Sequence, residues 1–158
     1  MENSFYALAA RMRNIRRWGL MRNSFEENLL EHSQMTAVLA HALAVIRRDV
    51  FGRSADPEKA AAAALFHDMS EIITGDMPTP VKYLNEDIRR SYKAVERQAE
   101  AQLLQLLPEE LRAGNEEFRS AEAQIREALE ASELPEIAYF MERFLPAFGM
   151  TLDELTKG

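Results

Sequence analysis

The sequence predicts an all-α protein, a bundle of helices around one core. Apolar residues recur every three to four positions through most of the chain, and no segment alternates apolar and polar residues between hairpin turns as a strand would. The length of 158 residues suits one domain, and 47% apolar residues are enough for one core. We therefore expect a single domain over residues 1–158.

The first two predicted helices are separated by an irregular segment. The pattern of the first helix is lost near Arg17-Trp18-Gly19, and the next helix starts at Asn28, which has the spacing of a capping box with Glu31. The second helix is expected to end near Gly52. The apolar stripe of the first helix is Phe5, Leu8, Ala9, Met12 and Ile15, and that of the second is Met35, Val38, Leu39, Leu43 and Ile46.

The third helix is predicted from Asp56-Pro57, an N-cap followed by proline at the first helical position, to Thr74-Gly75. Residues 76–80 (DMPTP) should form a rigid non-helical connection, because their prolines remove backbone donors. A fourth helix ends before Pro108, a fifth covers residues 115–131, and a last one begins at Pro135. The fourth helix is expected to bury Ile88, Tyr92, Val95, Ala99, Leu103 and Leu106, and the last Ile137, Phe140, Met141 and Phe144.

Composition narrows the possible partners and location. A net charge of −7 gives no general attraction to nucleic acid polymers or anionic membranes, so a small phosphorylated molecule is the better substrate class. The absence of cysteine excludes disulfides and thiolate chemistry and fits a cytoplasmic protein. Arginines interrupt the N-terminal apolar residues, which is unlike a signal peptide, and we expect no apolar run to span a bilayer.

His67-Asp68 is the most informative pair in the chain, with Glu71 one turn later and His32 at the start of another helix. Imidazole and carboxylate groups are ligands of divalent metals. If the second and third helices are antiparallel, one ion can reach both histidines and Asp68, while Glu71 reaches a bound water. His41 is turned by 180° from His32 on the same helix and cannot share that site. On spacing alone, ordinary capping, surface or core roles for these histidines stay open.

Several motifs, in the same order, resemble the bacterial HD-domain 5′-deoxynucleotidases, the YfbR type within the HD phosphohydrolase superfamily. They are RWGLMRN from Arg17, EHS from Glu31, AHAL from Ala40, HDMSE from His67, TGDMPTPVKY from Thr74, PEELR from Pro108, AGNEEF from Ala113 and YFMERFLPAF from Tyr139.

The resemblance implies an all-helical HD fold, usually a homodimer, that removes phosphate from 5′-deoxyribonucleoside monophosphates with a divalent metal of the Co, Mn, Fe or Zn class. It implies metal ligation by His32, His67 and Asp68, with His32 and Asp68 also near the substrate. Arg17 and Trp18 would orient the phosphate and pack on the sugar. Asp68 and Glu71 would be catalytic, Glu71 by acting on the attacking water. The nucleoside side would be lined by Asp76, Met77, Pro78 and Thr79.

The residues alone leave plainer interpretations open. Arg17 is also a reasonable solvated cation at a helix end, and Trp18 a core anchor. Asp76 is a common turn residue, and Glu71 is one of many acids in a protein of net charge −7.

The sequence departs from the family at one point. The family has a further aspartate ligand on a helix between PEELR and AGNEEF, whereas here Arg112 is followed directly by Ala113, and the only aspartate after Asp87 is Asp153. Either a helical segment is missing from this sequence between Arg112 and Ala113, which the clean break favours, or the protein lacks it. In the first case the chain is an ordinary nucleotidase, and in the second a three-ligand site binds metal more weakly. The alternatives are a broader-specificity HD nucleotide phosphohydrolase and a catalytically impaired HD module acting as nucleotide sensor or dimer scaffold.

Overall fold

Helices make up the architecture of this protein. The computed structural model describes residues 4–19, 25–112 and 135–146. Its α-helices are α1 (Phe5–Ala9), α2 (Leu29–Val45), α3 (Pro57–Phe66), α4 (Glu71–Thr74), α5 (Thr79–Lys82), α6 (Glu86–Leu104) and α7 (Pro135–Arg143). A 3-10 turn (Ala10–Asn14) extends α1, and a π-helical turn (Ile46–Val50) extends α2. The described residues contain an isolated antiparallel bridge, Arg16 to Asn28, but no strand, so the all-α prediction is confirmed.

Side-chain caps determine where the longer helices begin. The Asn28 side chain accepts a hydrogen bond from the backbone N–H of Glu31, and the Glu31 carboxylate accepts one from the backbone N–H of Asn28. This reciprocal pair is the predicted capping box. Asp56 caps α3, as predicted, and Asn85 caps α6 in the same way. Each cap satisfies a backbone donor that the first helical turn leaves without a partner.

The hydrophobic core joins α1, the start of α2, the end of α6 and the turn after α3. Its buried members are Phe5, Met12, Leu29, Met69, Leu103 and Leu107. Met69 lies directly after Asp68, so the His67-Asp68 pair is attached to the core by its own chain neighbour. The core therefore fixes the backbone from which the candidate ligands project.

The predicted continuous helix from Asp56 to Thr74 is wrong, because the chain leaves the α-helix after Phe66 and resumes it at Glu71. The His67 ring Nδ1 lies 2.7 Å from the carbonyl oxygen of Ala64, which a regular α-helix would pair with the N–H of Asp68. The turn is closed instead by hydrogen bonds that span three residues and not four, such as the bond from Glu71 N–H to the Asp68 carbonyl at 2.9 Å. The ring thus competes with the helix for one of its acceptors.

The non-helical connection is shorter than predicted. Residues 75–78 have no regular structure, but Thr79 and Pro80 already belong to α5. Proline is tolerated in the first helical turn because its missing N–H has no intrahelical acceptor there.

The buried face of α2 and its π-helical turn includes Ile46, as predicted, but otherwise differs from the predicted one. Met35 and Val38 are 50% and 57% exposed, while the residues that become buried include Ser33, Ala37 and Ala44. Alanines also form the buried face of α3, which packs along α2. Small side chains let the two helices approach closely, so the contact does not follow the largest apolar residues. On α6, the predicted burial of Tyr92, Ala99 and Leu103 is confirmed, whereas that of Val95, which is 49% exposed, is wrong.

The last helix begins at Pro135, as predicted, but its buried residue is Glu136. Met141 and Phe144 are 50% and 46% exposed, so their predicted burial is wrong within the described residues. Glu136 is 2% exposed and is paired with Arg47 at 3.2 Å and Arg53 at 3.5 Å. These ion pairs to the end of α2 and the following loop therefore orient α7 so that Glu136 faces the protein interior.

The helical segment Leu29–Val50, with a mean hydropathy of 1.2, is long and apolar enough to cross a membrane. By length and composition, the prediction that the chain has no such segment is therefore wrong. A single helix of this kind also occurs at the centre of soluble helical proteins, and this one carries His32.

Two further predictions fall outside the described residues. They are the helix over residues 115–131 and a chain break between Arg112 and Ala113 wider than one peptide.

Candidate metal centre and substrate site

His32, His67 and Asp68 converge in the fold. Their candidate ligand atoms all lie within 4.8 Å of one another. The Oδ2 atom of Asp68 is 3.0 Å from Nε2 of His67 and 3.5 Å from Nε2 of His32. His32 comes from the first turn of α2, whereas the other two come from the turn after α3. The antiparallel packing of α2 and α3 is what brings them together, as the sequence predicted.

The chemistry of this donor set fits a divalent metal. A carbonyl oxygen only accepts, so Nδ1 of His67 must carry the proton in its contact with Ala64. Nε2 of a neutral His67 then presents a lone pair toward the Asp68 carboxylate. Lone pairs that converge in this way need a cation between them or a proton on the ring. Two imidazole nitrogens and one carboxylate oxygen are a usual protein contribution to a zinc-like site with open positions.

The surroundings of the cluster keep His32 and Asp68 in the forms that bind metal. Burial and the positive charge of Arg17 lower the pKa of His32, which favours its neutral form. Burial alone would raise the pKa of Asp68, but in the metal-free protein the hydrogen bond and charge of a doubly protonated His67, with the charge of Arg17, lower it overall. A neutral imidazole and an ionised carboxylate are the ligating forms.

Arg17 lies at the edge of the cluster. Its Nη1 is 3.3 Å from Oδ2 of Asp68, and its side chain is only 15% exposed. The interpretation of Arg17 as a solvated helix-end cation is therefore wrong, since the guanidinium is largely buried against the cluster.

Sequence reasoning missed Glu27. One of its carboxylate oxygens, Oε2, lies 3.5 Å from Nε of Arg17 and 3.8 Å from Nδ1 of His32. The backbone carbonyl of Glu27 also accepts a hydrogen bond from the N–H of Arg17 at 3.0 Å. Glu27 lies just before the α2 capping box, and its position before Asn28 was the one available signal. A carboxylate behind a ligating histidine is the usual partner that orients the ring.

Trp18 and Asp76 are joined directly. The backbone N–H of Trp18 donates to Oδ2 of Asp76 at 3.0 Å. Trp18 has φ of +59°, an uncommon conformation for a large residue, and the residue is 40% exposed. The indole is not a core anchor. The Asp76 carboxylate therefore holds a strained backbone that presents the ring to solvent next to Arg17.

Glu71 is buried beside these groups. It is 6% exposed, and its Oε2 atom has no hydrogen-bond partner among the described residues. Burial, with the negative charges of Asp68 and Asp76, raises the pKa of Glu71 to about 8. Glu71 is thus not one of the many exposed acids of the surface.

The other predicted residues are distributed as follows. Met77 and Pro78 are partly buried in the segment after Gly75, and Thr79 is exposed at the start of α5. His41 is exposed and lies outside the ligand cluster, in agreement with its predicted direction on α2.

Comparison with known proteins gives the family. Residues 4–113 and 109–148 match the model of the family described as 5′-deoxynucleotidase YfbR-like. The chain belongs to this YfbR-like family. It is 39% identical to the 5′-deoxynucleotidase of Vibrio cholerae serotype O1, over 98% of this chain and 99% of that protein. It is 38% identical to the 5′-deoxynucleotidase YfbR of Escherichia coli K12, over 99% and 97% of the two chains.

A solved structure supports the fold. An HD-domain phosphohydrolase from Listeria innocua is 19% identical and superposes with a TM-score of 0.70, covering 91% of this chain and 87% of its own. This likeness shows that the YfbR-like chain has the helical HD-type fold.

The family match is divided where the sequence departs from its relatives. The two matched segments overlap at residues 109–113, and the alignment with the Vibrio protein runs over 192 residues, more than the 158 of this chain. The missing helical segment between Arg112 and Ala113 stays a prediction, since Ala113 lies outside the described residues.

Proposed function

We propose that this protein is a metal-dependent 5′-deoxynucleotidase that hydrolyses 5′-deoxyribonucleoside monophosphates to a deoxynucleoside and phosphate. The observation that carries the proposal is the convergence of His32, His67 and Asp68 beside the buried guanidinium of Arg17. Relatives that cover nearly the whole chain are named 5′-deoxynucleotidases, which supports the same activity.

His32, His67 and Asp68 would hold the metal. A divalent ion bound by them would supply a Lewis acid that lowers the pKa of water and offsets charge on the phosphoryl group. Its identity stays within the Co, Mn, Fe or Zn class, because imidazole and carboxylate donors suit all of them.

Arg17 binds the substrate phosphate. Its guanidinium is a planar donor that recognises phosphoryl oxygens in pairs. The contacts with Asp68 and Glu27 already hold that fork next to the metal ligands, so little side-chain freedom is lost on binding.

Glu71 accepts the proton of the attacking water. With a pKa of about 8, it exchanges a proton near neutral pH, where a carboxyl with an ordinary pKa would stay ionised. Oε2 of Glu71 has no hydrogen-bond partner among the described residues, so it is available to accept that proton.

Sugar selection belongs to Trp18 and to the segment Asp76–Thr79. The bond from Trp18 N–H to Asp76 joins these two parts of the site. The rigid indole of Trp18 packs on the sugar and leaves no room for a 2′-hydroxyl. The Asp76 carboxylate accepts a hydrogen bond from the 3′-hydroxyl, so a substrate without that group binds less well.

We also propose that the protein acts in the cytoplasm, as a homodimer, on free nucleotides and not on nucleic acid polymers. The net charge of −7 supports the choice of a small substrate. Exposed apolar side chains on the outer face of α2, Met35 and Val38, support a self-association surface.

The experiment is phosphate release from dAMP and AMP by the protein loaded in turn with Co²⁺, Mn²⁺, Fe²⁺ and Zn²⁺. The expected result is release from dAMP but not AMP, lost in Asp68→Ala and retained in the control Asp87→Ala, whose carboxylate is exposed on α6. Equal release from both substrates would favour the broader phosphohydrolase. Nucleotide binding without turnover in any of the metals would contradict the proposal and favour a sensor or scaffold that has lost its fourth ligand.

A further inference from the structure

The segment that follows Gly75 is attached to the long helix α6 by a buried tyrosine. Tyr92 is 6% exposed, and its hydroxyl donates to the carbonyl oxygen of Gly75 at 3.3 Å. The same hydroxyl is 3.3 Å from Oγ1 of Thr74. Gly75 has φ of +74°, a conformation that glycine adopts without strain. Tyr92 therefore holds the chain at the point where it leaves α4.

A second attachment lies at the other end of the segment. Nζ of Lys82, in α5, donates to Oε1 of Glu96 at 2.7 Å and lies 4.9 Å from the ring centre of Tyr92. The two charged side chains are only 19% and 13% exposed. Burial alone would lower the pKa of Lys82, but the hydrogen bond and charge of Glu96 raise it, so the ammonium stays charged. A shielded, hydrogen-bonded pair of this kind orders its partners more than a surface pair does.

These contacts place both ends of the segment on one helix. Gly75 and Lys82 are bound by side chains one turn apart on α6, Tyr92 and Glu96. Between them, Asp76 is bound from the opposite side by the N–H of Trp18. The segment that carries Asp76, Met77, Pro78 and Thr79 is thus fixed at its two ends and at one internal point.

We propose that Tyr92, together with the Lys82–Glu96 pair, is a positioning group that fixes the segment Asp76–Thr79 and thereby sets the discrimination between deoxyribose and ribose. This role rests on the proposed function for its link to sugar selection. The segment Asp76–Thr79 can exclude a ribose 2′-oxygen only if it stays in place, because discrimination against a slightly larger substrate depends on steric cost. None of the three side chains needs to touch the nucleotide.

The first test is amide hydrogen exchange of residues 75–82 in the metal-loaded, nucleotide-free protein. Tyr92→Phe removes only the hydroxyl, and Lys82→Met removes the ion pair while keeping much of the side-chain volume. Each should speed exchange in this segment by about three- to tenfold, the effect of losing one hydrogen bond on local opening. The matched controls are Tyr83→Phe, an exposed neighbouring tyrosine, and Arg90→Met, from an exposed ion pair on α6. Unchanged exchange in both test variants would show that Tyr92 and the Lys82–Glu96 pair do not position the segment, and would overturn the proposal.

The second test is the ratio of kcat/KM for dAMP to that for AMP. Tyr92→Phe and Lys82→Met should lower this ratio at least fivefold, mainly through better use of AMP, at unchanged metal content. An equal loss of activity on both substrates would overturn the link to sugar selection, because it would indicate general damage to the site. The exchange measurement requires no turnover, so it decides the positioning role even if the wild-type protein releases no phosphate and the proposed function fails.

Discussion

Nη1 of Arg17 and Oδ2 of Asp68 lie 3.3 Å apart, although 51 positions separate the two residues in the chain. The contact joins the proposed phosphate-binding cation to a proposed metal ligand. It is largely shielded from solvent, with both side chains about 15% exposed. Phosphate binding and metal binding are therefore expected to be coupled through this oxygen.

Arg17→Lys should retain the charge but lose the planar fork. We expect kcat/KM for dAMP to fall by about 10- to 100-fold, the range for losing a hydrogen bond to a charged group. Steady-state kinetics at fixed metal concentration measure it. The control is Arg16→Lys, whose side chain is 78% exposed. Full activity in Arg17→Lys would show that a point charge is enough and that the fork has no role.

Glu27→Gln should weaken metal binding without unfolding the protein. The carboxylate lies 3.8 Å from the ring nitrogen of His32 opposite to the ligating one, so its charge orients and polarises that ligand. We expect a roughly tenfold or larger rise in the Kd for Mn²⁺, measured by titration calorimetry. Glu26→Gln, whose side chain is 81% exposed, is the control. An unchanged Kd in Glu27→Gln would remove Glu27 from the metal site.

Glu71 makes the stability of the metal-free protein depend on pH. Its pKa of about 8 in the folded state exceeds the ordinary value of 4.5, so the folded protein retains a proton that the unfolded chain releases between these pH values. Stability therefore falls as pH rises from about 4.5 to 8. In Glu71→Gln this loss should disappear, leaving the variant more stable at pH 8 by roughly 2–4 kcal/mol.

Urea denaturation at pH 5 and pH 8 measures the Glu71 effect. The exposed Glu58→Gln change is the control and should alter neither value. The same pH dependence in Glu71→Gln as in the wild-type protein would show that the proton is held elsewhere.

The cap of α2 should affect both stability and the site. Asn28→Ala removes the acceptor for the N–H of Glu31, at an expected cost of about 1 kcal/mol. Because His32 lies in the first turn of α2, we also expect weaker metal binding. Asn85→Ala, which removes the equivalent cap of α6, should cost similar stability and leave the metal Kd unchanged. Equal effects of the two variants on metal binding would contradict this coupling.

Local patterns predicted the parts of the fold that depend on neighbours in sequence. The capping box at Asn28, the cap at Asp56 and the start of the last helix at Pro135 are set within one turn, and the structure confirms them. The facing of His32 toward His67 followed from antiparallel helices joined by a short loop. The two caps require no knowledge of distant contacts.

Features that depend on distant contacts were not predictable in this way. The break at His67 arises because its ring binds the Ala64 carbonyl, and helical periodicity carries no sign of that competition. Glu27 pairs with Arg17, and Glu136 pairs with Arg47. Neither partner is adjacent in sequence, and packing alone determines that the side chains meet. The alanine contact between α2 and α3 was underrated because periodicity favours large apolar residues.

The central claim is that His32, His67 and Asp68 form a metal centre in a chain whose family match is divided at residues 109–113. The most direct test is the divalent metal bound per chain after purification and dialysis, measured by elemental mass spectrometry. We predict about one ion per chain in the wild-type protein. We predict essentially none in Asp68→Ala. Wild-type protein that retains no ion, or Asp68→Ala that retains as much as the wild type, would contradict the account.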